Sequence, residues 1–319
     1  MSAITKERTK RNQTLTIQPE EVAALRENVV EESCLSTLSS FDNLLIHGDL
    51  YEILDKIPDE IADLIILDPP YNLTKDFHGM TFSAMDNDAY EAYLRSWFCK
   101  VCRKLKSTGS LYICGDWKCT AALQKVVSEE LTILNRITWQ REKGRGAAHN
   151  WKNAMEDIWF AVKDPKHYYF NVEAVKVRRQ VLAPYRDDGK PKDWAENPDG
   201  KFRDTCPSNF WDDISVPFWS MPENTDHPTQ KPEKLVAKLI LASSRCGDLV
   251  FDPFMGSGTS CVVAKKLGRN YLGTDINEEY CLWAAKRIQL ATRNKSIQGY
   301  EDGVFWERNT FHKQHNTAQ

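Results

Sequence analysis

The stretch Leu249-Val250-Phe251-Asp252-Pro253-Phe254-Met255-Gly256-Ser257-Gly258-Thr259, with Asn270-Tyr271-Leu272-Gly273-Thr274-Asp275 shortly after it, decides the fold class. The opening apolar run shows no alternation, as expected of a strand covered on both faces. Asp252-Pro253 ends it, because proline has no N–H to give to a ladder. A glycine turn follows. Val262, Val263, Lys266 and Leu267 then fall in a helix that Gly268 is placed to close. Asn270 to Thr274 reads as a second short strand with Asp275 at its end. Strand, turn, helix, strand and terminal carboxylate make a βαβ unit, so the class is α/β with a parallel sheet.

The chemistry of the turn is narrower than its shape. A dinucleotide turn wants G-x-G-x-x-G, and the third position here is Cys261. A P-loop wants G-K-[ST], and Gly258 is followed by Thr259-Ser260 with no lysine until Lys265. What fits is an adenosine-type site. The glycines allow close backbone approach, and Asp275, 17 residues after Gly258, is positioned for ribose hydroxyls. A turn that only packs helix on strand is the plainer alternative.

Working outward, Leu64-Ile65-Ile66-Leu67 is a second buried strand, cut off by Asp68-Pro69-Pro70-Tyr71. A Pro-Pro break explains the turn but not the acid and the aromatic flanking it. The Asp68 carboxylate and the Pro69 carbonyl read as acceptors with no internal donor, and Tyr71 as a flat face. Together they suit a planar base carrying an NH₂ group.

Tyr90, Tyr93, Leu94, Trp97, Phe98, Val101, Cys102 and Leu105 recur at helical spacing. Gly109 is expected to break that helix before a strand over Ser110 to Cys114. A strand over Ile158 to Val162 and a helix holding Leu235 to Ile240 after Pro232 complete the regular pieces. From about 164 to 226 the pattern dissolves into a proline-punctuated stretch rich in Asp, Asn and Lys. Trp194, Phe202, Phe210, Trp211, Phe218 and Trp219 make it an inserted, loop-rich subdomain rather than a disordered linker.

The 319 residues carry a net charge of −3, which advertises no nucleic-acid partner. Residues 136 to 203, however, hold 15 Lys/Arg against 10 Asp/Glu. Arg141, Lys143 and Arg145, then Lys176, Arg178 and Arg179, are the candidate DNA contacts, although a solvated basic surface explains them too. Nine scattered cysteines suit a reduced, cytoplasmic protein. Cys99 and Cys102 lack a second ligand pair, so no metal is expected. No apolar run approaches the ~20 residues of a membrane span. The polar, basic start of the chain is not a secretory signal.

Asp68-Pro69-Pro70-Tyr71 ahead of Phe254-Met255-Gly256-Ser257-Gly258 resembles the β class of DNA amino-methyltransferases. Gly48-Asp49, Asn72-Leu73 with the loop through Gly79-Met80, Gly109 to Asp116, and His227-Pro228-Thr229-Gln230-Lys231-Pro232 extend the likeness over about 44 to 290. It is similar to restriction-modification enzymes such as the RsrI methyltransferase. The resemblance implies a Rossmann-like, mostly parallel sheet with one antiparallel strand and helices on both faces. It divides the chain into an N-terminal extension over 1–40 and a methyltransferase domain over 41–319, with target recognition in roughly 164–226.

The same resemblance implies S-adenosylmethionine as cofactor, held by Asp49, His227, Lys231, Asp252, Phe254, Gly256, Ser257, Gly258, Thr259 and Asp275. Catalysis would fall to Asp68, Pro69, Pro70 and Tyr71. The implied substrate is an adenine N6 flipped out of double-stranded DNA. Aspartate at position 68 leans to adenine in this family, where serine is more typical of N4-cytosine enzymes, the alternative. GAATTC would be the target if the RsrI likeness is close. Homodimers are common in the class, and a cognate restriction endonuclease would share the site without needing to bind.

Overall fold

Alternate residues of the Ala62–Leu67 strand enter two different cores. Leu64 and Ile66 join one with Leu235, Leu239 and Val262, while Ile65 and Leu67 join another with Ile53, Trp97 and Phe98. That is the physical meaning of the unbroken apolar run: both faces of the strand are covered by helices. The computed structural model describes residues 11–77, 80–141, 148–181, 186–188, 190–191, 194–197 and 200–308.

The central sheet has nine strands, in the order Val30–Glu31, Leu44–His47, Asn270–Asp275, Leu249–Asp252, Ala62–Leu67, Leu105–Gly115, Met155–Val162, Thr132–Gln140, Phe210–Trp211. Every neighbouring pair is parallel except the two made by Met155–Val162, which runs against both its neighbours. The helices Leu50–Lys56, Asn87–Lys104 and Thr120–Glu130 cover one face, and Glu233–Ser243, Thr259–Lys266 and Glu278–Arg293 cover the other. The expected α/β, Rossmann-like architecture with a single antiparallel strand is therefore the observed one.

Two local expectations are corrected. Gly109 does not separate helix from strand. The long helix ends at Lys104 and the strand starts at once, at Leu105. Pairing then jumps from Leu105 opposite Ala62 to Ser110 opposite Leu64, so Gly109 belongs to a bulge inside the strand. The segment 164–226 is also less irregular than its composition suggests. Val177–Gln180, Gly200–Thr205 and Ala195–Asn197 form a small sheet, completed by Val304–Trp306 and Tyr300–Glu301 from the chain's far end. Its strands are short and its partners distant in sequence, so periodicity gave no warning.

The first forty residues are tied in where described. Val30–Glu31 forms the outer strand of the central sheet, and the Gln13 and Leu15 amides donate to the carbonyls of Trp219 and Asn224. All nine cysteines are free. Among the described residues no helix is long and apolar enough to cross a membrane.

Candidate active site

The carboxyl ends of parallel strands leave a crevice where strand order reverses, the usual place for a ligand in an open α/β sheet. Here those ends deliver His47-Gly48-Asp49, Asp68-Pro69-Pro70-Tyr71, Asp252 and Asp275 to one edge. The antiparallel strand contributes its opposite end, so Glu156 arrives at the same edge. A cavity of about 440 Å³ runs between them.

At the glycine turn, Gly256 adopts φ +51° and donates its amide to Asp275 Oδ2 at 2.9 Å. A Cβ there would stand 2.8 Å from His227 Nε2, so only glycine lets the imidazole lie across the turn. The His227 ring meets Tyr280 edge-on, with centroids 4.4 Å apart. Burial pushes the Asp275 carboxyl up to about 6, against the opposing pull of the Asn277 and Gly256 amides. Burial likewise pushes Asp252 up to about 7, although Ser260 and the Phe254 amide hydrogen-bond to it. Asp49 caps the Leu50–Lys56 helix through the Tyr51 amide, and Phe254 packs edge-on against Trp97 at 4.9 Å.

Of the residues expected to hold the cofactor, Asp49, His227, Lys231, Asp252, Phe254, Gly256, Ser257, Thr259 and Asp275 line the cavity. Gly258 does not. Its φ is +78°, and a Cβ would lie 2.5 Å from the Ala284 Cβ, so its part is to bring two helices together. Behind the turn, buried Arg287 donates to Ser257 O and Thr259 Oγ1, both at 2.9 Å, and pairs with Glu233.

Asp68, Pro69, Pro70 and Tyr71 all line the same cavity. The expectation that Asp68 lacks an internal donor is wrong. Lys231 Nζ donates to Oδ1 at 2.8 Å and to Oδ2 at 2.7 Å, and the Tyr71 hydroxyl donates to Oδ1 at 2.8 Å. With two lone pairs per oxygen, Oδ1 is filled, and Oδ2 keeps one lone pair among the described residues. The Pro70 carbonyl accepts from Tyr90, while the Pro69 carbonyl has no donor among the described residues. The Lys231 side chain thus serves the Asp68 carboxylate, while its carbonyl accepts from the Thr259 hydroxyl of the glycine turn at 3.1 Å.

Glu156 was missed by the sequence reading. It is 3% exposed, and its Oε2 lies 3.1 Å from the Tyr71 hydroxyl, whose single proton it shares with the nearer Asp68. Lys231 lies 3.2 Å away, and Arg141 is ion-paired to its other oxygen. Its signal was a pair of acids, Glu156-Asp157, at the head of an apolar run, where charges are rarely buried unless paired. Burial, and then the carboxylates of Asp68 and Glu156, drive the Tyr71 hydroxyl well above the ordinary tyrosine range.

Among the basic candidates, Arg141 lines the cavity in its pair with Glu156, and Lys143 and Arg145 lie outside the described residues. Lys176 pairs with Glu173 at 2.6 Å, Arg178 grips both oxygens of Asp204 at 2.8 Å, and Arg179 stands 3.8 Å from Glu307. Each of these three already has a carboxylate partner.

A family model, that of the N6/N4 methyltransferases described as DNA methylase, matches residues 62–287. The chain is 36% identical over 255 residues to the DNA adenine methyltransferase YhdJ of Escherichia coli K12, covering 78% of this chain and 83% of that protein. It is 34% identical over 249 residues to the type II methyltransferase M.HpaI of Haemophilus parainfluenzae, covering 77% and 74%. Among solved structures it resembles the cytosine-N4-specific PvuII DNA methyltransferase. The TM-score is 0.59 at 18% identity, over 79% of this chain and 92% of that one.

Proposed function

Because the chain belongs to the N6/N4 family of DNA methylases, we propose that it moves a methyl group from S-adenosylmethionine to N6 of an adenine flipped out of duplex DNA. The observation that carries this reading is the pairing of one open Asp68 lone pair with a Pro69 carbonyl that has no donor among the described residues, both on the wall of the cavity. The two acceptors match the two hydrogens of an exocyclic amine. The other end of the cavity suits the cofactor: Asp275 and Asp49 for hydroxyls, Gly256 for close approach, Phe254 and Trp97 for an adenine face.

When bound, the cofactor would supply a sulfonium methyl to the amine nitrogen, sulfur keeping the electron pair of the broken C–S bond and the nitrogen giving one proton to solvent. Asp68 and Pro69 hold the amine hydrogens and favour a nitrogen with a localised lone pair. They also stabilise the positive charge that builds there, which lowers the transition state more than the ground state. Tyr71 offers its ring to the base, worth ~1–3 kcal/mol where bases stack on aromatics. The cavity walls hold both reactants in line, so positioning contributes as well.

Asp68 and the name of the YhdJ relative favour adenine over cytosine. The resemblance to the RsrI enzyme favours GAATTC within a restriction-modification pair, and it alone supports that site. Base readout depends on groove contacts that no residue code predicts. The test is transfer of a tritiated methyl group to duplex DNA followed by nucleoside analysis. Label in N6-methyladenosine, lost from duplexes without GAATTC, is the expected result. Label in N4-methylcytosine overturns the base, and label without GAATTC overturns the site.

A further inference from the structure

Glu156 has no part in the reading above, yet it is the most enclosed carboxylate beside Asp68. Two donors are shared between the two acids. The Lys231 ammonium touches Asp68 at 2.7 and 2.8 Å and Glu156 at 3.2 Å; the Tyr71 hydroxyl touches them at 2.8 and 3.1 Å. Arg141 closes the far side of Glu156. A buried carboxylate is costly unless paired, and among the described residues the partners of Glu156 stand around Asp68 or at the cavity wall.

We propose that Glu156 is a positioning residue for methyl transfer, acting through Lys231 to keep one lone pair of Asp68 open for the target amine. The proposal rests on the methyl-transfer reading. An ammonium has three N–H groups: two reach Asp68, and the third lies between the Tyr71 oxygen at 3.1 Å and Glu156 at 3.2 Å. Shared between two carboxylates, Lys231 cannot neutralise Asp68 alone, so Asp68 keeps negative charge for the amine. With Glu156 made neutral, the ammonium closes on Asp68, and its third N–H competes for the lone pair that the amine needs.

The electrostatics agree. Burial pulls the Lys231 ammonium down, but the carboxylates of Asp68 and Glu156 more than offset this and hold it above the ordinary lysine range. The groups facing it are Asp68 and Tyr71 after one strand, Cys114 on the next and Glu156 on the antiparallel strand, with the cation Lys75 nearby and Arg141 beyond Glu156. Removing the Glu156 charge therefore lowers the pH at which Lys231 loses its proton.

The test compares Glu156→Gln and Glu156→Asp with the wild-type chain in single-turnover transfer of a tritiated methyl to duplex DNA. Rates are followed against pH, and cofactor affinity is measured by calorimetry. Glu156→Gln is expected to slow transfer ~10–100-fold, as loss of a charge-assisted contact would. Its alkaline limb should move to lower pH while cofactor affinity holds, and Glu156→Asp should recover most of the rate. A wild-type limb and rate in Glu156→Gln overturn the proposal. So does equal loss in Gln and Asp with the limb unmoved.

Where Glu156→Gln does not fold, the paired variant Glu156→Gln/Lys231→Met is compared with Lys231→Met alone. A residue acting through Lys231 costs nothing further once Lys231 is gone, so a paired variant slower than Lys231→Met overturns the proposal. A wild-type chain that transfers no label to DNA overturns the methyl-transfer reading itself, which keeps the two failures apart.

Discussion

Gly258 and Ala284 hold two helices in contact: a Cβ on the glycine would lie 2.5 Å from the Cβ of the alanine. Gly258 is also left-handed, at φ +78°. Gly258→Ala is expected to cost roughly 1–2 kcal/mol of backbone strain and about 1–3 kcal/mol of overpacking. Denaturant unfolding measures the loss. Ala284→Gly in the same chain should return the packing part and leave the strain. A variant of unchanged stability that has lost cofactor affinity would instead return Gly258 to the ligand site.

Asp68→Ala is expected to slow methyl transfer by at least ~10–100-fold while leaving cofactor binding largely intact, because Asp68 faces the amine end of the cavity. Lys231 keeps a counter-charge in Glu156, so the variant should fold. Calorimetry beside single-turnover kinetics decides it, and parallel loss of affinity and turnover would remove Asp68 from the amine.

Asp252 gives the ligand-free protein a pH dependence. Burial raises its carboxyl from 3.8 to about 7. A raised folded value means the native state holds a proton that the unfolded chain releases. The stability from this group is therefore fully present below about 3.8 and is lost as pH rises through about 7. Over that window the loss is of the order of a few kcal/mol. Asp252→Asn should flatten the fall in melting temperature between those limits. An unchanged slope in the variant would exclude Asp252 as its source.

Arg178 is tied to both oxygens of Asp204 and lies 5.4 Å from the centre of the Trp306 ring. Its charge is engaged within the protein. Arg178→Ala is expected to lower stability while leaving the salt dependence of duplex affinity as it was. Losing a true phosphate contact would reduce the log–log slope by ~0.9. A drop of that size would restore Arg178 to the DNA interface.

What can be read from the sequence is what breaks a strand or demands a special backbone. Asp68-Pro69-Pro70, Asp252-Pro253 and Gly256 do so locally, and each stands where its neighbours imply. Charge sharing is not local. Lys231 and Glu156 meet because an antiparallel strand turns its first residues toward the carboxyl ends of parallel ones, a matter of topology rather than composition. The same reason hid the small sheet, whose Val177–Gln180 strand pairs with Val304–Trp306. Nor does counting cations reveal the acids folded against Lys176, Arg178 and Arg179.

The pairing of Val304–Trp306 with Val177–Gln180 makes the tail of the chain a buckle on the inserted segment. The buried Lys234 ammonium fastens it by donating to the carbonyls of both Asp213 and Trp306. A chain cut before Tyr300 would keep every strand of the nine-stranded sheet and both ends of its cavity. It would also leave Val177–Gln180 as a bare edge, open to any extended segment that could pair with it.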